Sequence, residues 1–435
     1  MSLNIKFNSP AFLLVLGLAA LVSTNANAQD SGNLFTPSFS DAAQSKVQDV
    51  APKTDTMTMQ GSSGKSLEEL LRDIRLNEKA ISHEFSAIPV GFPEAQKKHM
   101  AKIRQMQKET ENLKMQLSDA AATAYRKDPS ANSIAAKIVY ATLANKIDAA
   151  GGESFDPRGA LELADLMLKS GLENAPMKME KSESDTSAGG VSFENVAYQA
   201  FRASFAIQDY ARADLMLQKI ESRGTTLKAV YRQVLADART KWQRELMIRR
   251  LEKNTNDLPR IKIETSEGDI VVELYENHAP QTVGNFVNLV ESGFYDEKPF
   301  YLVRPGDCAR TGCKNGDGTG EIGYQIPCEY DREQIRHHFS GTLSMHNTGR
   351  DTGDSQFFIT HQRKPEYDGK YTAFGRVIEG MDVVYKLNKV DKTPYARAGG
   401  GEPSKIIKAT VLRKRQHSYQ PSRVAEKMQN LRDDG

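Results

Sequence analysis

Gly341-Thr342-Leu343-Ser344-Met345-His346-Asn347, followed by Ser355-Gln356-Phe357-Phe358-Ile359, is the stretch on which the reading of this 435-residue chain turns. Side chains alternate along a strand, so Gln356 and Phe358 share one face while Phe357 and Ile359 point the other way. One face therefore carries a polar amide beside an aromatic ring. Upstream, from Arg260, the residues Ile261, Ile263, Val271, Val272 and Leu274 are strand-like, and Glu267-Gly268 is a tight turn of the hairpin type. Pro280 suits the first turn of a helix over Thr282–Ser292. Downstream come Asp368-Gly369-Lys370 and Phe374-Gly375-Arg376-Val377. These pieces place a β domain over residues 258–419.

In order and spacing, these segments resemble a cyclophilin-type peptidyl-prolyl cis-trans isomerase domain. The resemblance also covers Gly268 to Tyr275, Ala279 to Phe286 and Gly293-Phe294-Tyr295-Asp296. It implies a mainly β, eight-stranded closed antiparallel barrel with two capping helices. It also implies rotation about an X–Pro amide, whose barrier of about 18–20 kcal/mol comes from partial double-bond character. Such a reaction needs no nucleophile, metal or cofactor. It needs an apolar socket for the proline ring, hydrogen bonds to the flanking backbone, and a positive donor near the prolyl nitrogen. By resemblance, Phe358 floors the socket, Gln356 holds substrate backbone and Asn347 meets the residue before proline, with His346 also among the substrate-binding residues.

Several family positions are changed. The stretch from Tyr301 to Cys308 aligns so that the family's catalytic arginine falls on Leu302, and its pocket phenylalanine and methionine fall on Asp307 and Cys308. A backbone-binding glutamine becomes Arg310, a pocket leucine and histidine become Tyr367 and Tyr371, and a variable tryptophan becomes Glu366. Arg304 and Arg310 are the candidates to replace the lost charge. The expectation is that Arg310 supplies the guanidinium, held by Asp307, with Gln356 as its catalytic companion. The alternative is that both arginines make ordinary surface ion pairs. Two functions follow: a weak isomerase acting on exported proteins, or an inactive module that binds proline-containing segments as a scaffold or chaperone.

Cys308, Cys313 and Cys328 are the chain's three cysteines. Cys313 and Cys328 flank the glycine-rich loop Asn315 to Gly320, and a disulfide closing it would remove loop entropy, leaving Cys308 free. The loop is no phosphate cradle, because no Gly-Lys-Ser/Thr follows. His337, His338, His346 and His361 lack metal-ligand spacing, and no metal is expected.

The N-terminus reads as a signal peptide over residues 1–28: Lys6, an apolar run from Ala11 to Val22, then Ala26-Asn27-Ala28 before Gln29. The run is shorter than the roughly 20 residues a spanning helix needs, so export without a stable membrane span is expected, most simply to a periplasm. Residues 29–65 are polar and read as a flexible linker. Residues 66–256 carry apolar positions three or four apart and read as an α-helical module, with its longest helix from Pro93 to about Lys127. Ala164-Asp165-Leu166-Met167-Leu168 recurs 49 residues later as Ala213-Asp214-Leu215-Met216-Leu217. Discounting the polar insertion Met177–Gly190, the period approaches the roughly 34 residues of a tetratricopeptide unit, though plain helix packing fits equally. A protein partner is expected on this module. Residues 420–435 form a tail. The net charge of +2 arises from interspersed acids and bases, which leaves no electrostatic footprint for nucleic acid.

Overall fold

The computed structural model describes residues 64–89, 92–130, 133–148, 155–172, 191–224, 229–332, 334–393, 402–420 and 423–424. The signal peptide, nearly all of the linker, the insertion Met177–Gly190 and most of the tail lie outside the described residues. By packing, the chain divides into two units, one holding residues 1–144 and 162–199, the other residues 145–161 and 200–435.

In the first unit, α1 (Leu67–Ser86) opens with a capping box, in which the Ser66 hydroxyl accepts from Glu69 N–H and the Glu69 carboxylate accepts from Ser66 N–H. It pairs with α2 (Pro93–Lys127) as a helical hairpin that buries Leu70, Ile74, Ile103 and Leu117. The helices α3 (Ile134–Ile147), α4 (Pro157–Lys169) and α5 (Phe193–Ala206) straddle the division, and α6 (Tyr210–Ser222) and α7 (Ala229–Thr255) belong to the second unit. The two echoed segments fall on α4 and α6, with Ala164, Met167, Ala213 and Met216 all buried.

The second unit contains a nine-stranded antiparallel sheet. Its strands are β1 (Arg260–Thr265), β2 (Gly268–Leu274), β3 (Leu302–Arg304), β4 (Cys308–Thr311), β5 (Thr342–Met345), β6 (Phe357–Thr360), β7 (Thr372–Glu379), β8 (Val390–Asp391) and β9 (Ile406–Arg413). They run in the order β8-β3-β4-β6-β5-β7-β2-β1-β9. The expected hairpin is present: Thr265 pairs with Gly268, whose φ of +131° suits glycine. The expected closed eight-stranded barrel is not. The sheet curls, but its edges β8 and β9 do not pair. The chain just before β3 reaches β9 through the bridge Pro299↔Lys405, where Ile406 N–H donates to Lys298 O and Phe300 N–H to Ser404 O, each at 2.8 Å. Both flanking hydrogen bonds of this bridge form, but it stays an isolated bridge and no strand ladder extends from it among the described residues.

Both expected capping helices form. Helix α8 (Pro280–Glu291) starts on Pro280 and packs Phe286 against Phe357 and Phe374, with ring centroids 5.2 Å apart in each pair. Helix α9 (Met381–Lys386) adds Val383 and Val384 to the same core. Among the described residues, no helix is long and apolar enough to cross a membrane.

The change from helix to strand near residue 257 does not coincide with the packing division, because residues 200–255 pack with the sheet. Trp242 of α7 meets Phe339 edge to face at 4.8 Å, and Gln208 Nε2 donates to Ser340 O at 3.1 Å. The Arg336 side chain has no exposed surface. Its guanidinium donates to both Glu245 oxygens, at 2.7 and 2.9 Å, and to Glu252, and it lies 3.6 Å over the Tyr275 ring. Glu252 also accepts from Arg376 at 2.9 Å. Burial alone would raise the Glu245 carboxyl, but the Arg336 charge and hydrogen bonds hold it at about 2. An Arg336→Met chain would leave two carboxylates buried without their main partner, and urea unfolding is expected to show a loss of about 3–5 kcal/mol. A change below about 1 kcal/mol would mean that α7 is not held by this cluster.

Candidate active site

Three strand pairings build the site. Leu302 of β3 is the cross-strand partner of Arg310 in β4, and Arg310 is the partner of Phe358 in β6. Cross-strand partners place their side chains on one face about 4.5–5.5 Å apart, so Leu302, Arg310 and Phe358 form a row. Phe357 and Ile359 belong to the main core, while Phe358 joins a separate cluster with Tyr301, Leu302, Cys308 and Cys313. The alternation read from the sequence is thus the one observed.

Gln356 is fixed from both ends. Its backbone N–H donates to Asp354 Oδ1 at 3.1 Å and its carbonyl accepts from His346 N–H at 2.8 Å. Its side-chain Oε1 accepts from the Tyr301 hydroxyl at 2.7 Å. Just ahead of it, Ser355 Oγ donates to Gly312 O at 2.8 Å. Gly312 has φ +86°, and a Cβ there would stand 2.6 Å from Ser355 O, so only glycine lets the two segments approach.

The Arg310 guanidinium lies 5.9 Å over the Phe358 ring, and Nη1 donates to His346 Nε2 at 3.4 Å. Burial, with the Arg310 charge adding to it, pushes His346 down to about 3, so its ring is neutral and stacks on Tyr371 at 6.3 Å. Asp307 does not hold Arg310, contrary to the sequence expectation. It pairs with Lys364 at 2.8 Å and accepts from the Tyr367 hydroxyl at 2.8 Å, and these partners outweigh burial and keep its carboxyl low. Asp307 lies in the turn ahead of β4, facing Lys364 and Tyr367. Arg304 pairs with Asp391 at the exposed sheet edge, at 3.3 Å.

Phe358 is only 1% exposed. Tyr367 and Tyr371 stand edge to face against it at 5.5 and 5.3 Å, so the chain's own aromatic rings cover the floor. Behind it, His338 stacks at 6.2 Å. His338 is held by Asp368 through Nδ1 at 3.0 Å and by Ser344 Oγ through Nε2 at 2.8 Å. Hydrogen bonds from His337, His338 and Arg363 outweigh burial and keep the Asp368 carboxyl far below its usual range. Asn347 follows His346 and donates from Nδ2 to Lys370 O at 3.0 Å. The structure therefore groups Arg310, Gln356, His346, Phe358, Tyr367 and Tyr371. Sequence reasoning missed the parts of Tyr301, His338 and Asp368, whose contacts with Gln356 and with each other join residues 55 and 30 positions apart.

The cysteines are corrected. All three are free thiols: Cys313 Sγ accepts from Gly318 N–H at 3.0 Å, and Cys328 Sγ from Asp351 N–H at 3.1 Å. Each thiol is turned to its own backbone donor, which leaves the expected Cys313–Cys328 disulfide unformed. Burial pushes Cys308 up to about 12, making it inert. Among the described residues, no cluster of His, Cys, Asp or Glu could hold a metal ion.

Buried neutral histidines make the unit acid-sensitive. His361 accepts from Gly306 N–H at 3.1 Å, and its Nε2 is buried without a hydrogen-bond partner; burial pushes it down to about 4. Both His361 and His346 lie below the free value of about 6.5. The stability they carry is complete above that pH and is lost as pH falls toward the folded values. Lowering pH from 7 to 5 is expected to cost about 2 kcal/mol for each ring. His361→Asn, which keeps an acceptor for Gly306, should remove about 2 kcal/mol of that dependence in urea titrations. An unchanged pH dependence would contradict the assignment.

The profile of the family described as cyclophilin type peptidyl-prolyl cis-trans isomerase matches residues 260–411. A peptidyl-prolyl cis-trans isomerase of Synechococcus elongatus is 46% identical over 132 residues, covering 30% of this chain and 89% of that relative. Peptidyl-prolyl cis-trans isomerase B of Bacillus subtilis is 42% identical over 131 residues, covering 30% and 91%. Among solved structures, a cyclophilin type isomerase of Cryptosporidium parvum matches at 26% identity with a TM-score of 0.32, covering 36% of this chain and 99% of its own.

Proposed function

The chain belongs, through residues 260–411, to the cyclophilin type peptidyl-prolyl cis-trans isomerase family, and on that premise we propose that it takes up proline-containing segments over Phe358 and rotates their X–Pro amide slowly. The observation that carries this reading is the row Leu302–Arg310–Phe358. The family's guanidinium position falls on Leu302, and the next residue across the sheet, on the same face, is an arginine. A guanidinium at the prolyl nitrogen stabilises the twisted amide, in which resonance is lost and the nitrogen lone pair is localised. Gln356, with Oε1 committed to Tyr301, keeps its Nε2 to donate to a substrate carbonyl.

Turnover is slow in this reading for two reasons. Replacing a preorganised donor commonly costs about 10²–10³ in rate, and a guanidinium one strand away restores only part of it. Tyr367 and Tyr371 must also move before a proline ring reaches Phe358. The clients are exported proteins, supported by the apolar run Ala11–Val22 and the small residues up to Ala28, with a periplasm as destination. Slow X–Pro isomerisation limits the folding of many such clients. The helical module contributes a protein-binding surface.

The covering of Phe358 favours a second reading, a module that binds extended proline segments without turnover. A protease-free isomerisation assay on a short X–Pro peptide with the full chain separates the two. The first reading expects a rate above background that falls about 10²-fold in Arg310→Ala and is little changed in Arg304→Ala. No rate above background at high protein concentration, with peptide binding retained, would replace it with the second.

A further inference from the structure

Most charged side chains around the site are matched. Asp307 and Glu366 both face Lys364, at 2.8 and 3.6 Å, Arg363 faces Asp368 at 2.5 Å, and Arg304 faces Asp391 at 3.3 Å. Arg310 has no carboxylate within 4.0 Å among the described residues. Its polar neighbours are the Tyr301 hydroxyl and the neutral ring of His346, and its Nε is buried without a hydrogen-bond partner.

A guanidinium cannot discharge itself by losing a proton in a protein. A half-buried one without a counter-ion is therefore left under-solvated, and an incoming anion gains more there than at an exposed lysine. The row places this charge 5.9 Å from the centre of the ring on which proline is proposed to sit. Consecutive Cα atoms of a bound peptide are about 3.8 Å apart, so the side chain of a residue next to proline comes within reach of Arg310. Five N–H donors let one guanidinium meet a side chain and still donate toward the prolyl amide.

We propose that the substrate supplies the missing anion: the site selects proline-containing segments in which the residue preceding proline carries a carboxylate, paired with Arg310. This rests on the reading of Phe358 as the proline floor. It narrows the substrate class to Asp-Pro and Glu-Pro segments, and it disfavours a lysine at that position by like-charge repulsion.

The test is fluorescence anisotropy with the full chain and three labelled peptides that differ only in having Glu, Gln or Lys before proline. The Glu-Pro peptide is expected to bind about tenfold tighter than Gln-Pro, with Lys-Pro weakest. Arg310→Gln should erase the difference between Glu and Gln, and Arg310→Lys should keep part of it. Equal binding of the Glu and Gln peptides to the unaltered chain, or a preference that survives in Arg310→Gln, would overturn the selectivity while leaving proline-segment binding in place. Failure of all three peptides to bind would instead remove the reading of the site, and the selectivity with it.

Discussion

The antiparallel register of β3, β4 and β6 governs the site, because it puts Leu302, Arg310 and Phe358 side by side on one face of the sheet. A slip of one residue in any of these pairings would send the facing side chain to the opposite side. Arg310 would then leave Phe358, and the ring would enter the main core. The register is held where the strands begin and end. Gly312 lets the end of β4 close onto Ser355, and the hydroxyl of Ser355 locks that contact. The Tyr301 hydroxyl then finds Gln356 across two strands.

Behind this row lies a dense polar layer. His338, Asp368, Arg363 and Ser344 support the back of Phe358 and bond to one another, with only Arg363 Nε left buried without a partner among the described residues. Losing one member of such a buried network leaves another unpaired in a low dielectric. The layer continues outward through Phe339 to Trp242 on α7, and Arg336 ties the same helix to the sheet between two carboxylates. Residues 200–255 thus help to form the unit that contains the site. A ring supported on its far face and covered by two tyrosines on the near face keeps its place. On the proposed function, the near face is the one that opens to admit a proline ring.

Much of the sheet was legible in the sequence, because local pattern carries it. The alternation of Gln356 to Ile359, the turn at Glu267-Gly268 and the proline opening α8 all act over a few residues. The site's polar partners were not legible to the same extent. Asp307 lies three residues from Arg310, and proximity along the chain favoured pairing them, yet the turn directs it to Lys364 and Tyr367. The cysteine pairing failed for a similar reason: flanking a loop does not orient two thiols toward one another. Closure of the sheet depended on how far pairing extends from the single bridge Pro299↔Lys405, which local pattern does not report. The packing of residues 200–255 on the sheet depended on side chains such as Trp242 and Arg336, nearly a hundred residues apart.

The most direct test of a proline-segment site over Phe358 is the nuclear Overhauser spectrum of an X–Pro peptide bound to the full chain. Contacts from the proline ring protons to the Phe358 ring and to Arg310 are the predicted result. Proline contacts confined to other surfaces, with Phe358 and Arg310 silent, would contradict it.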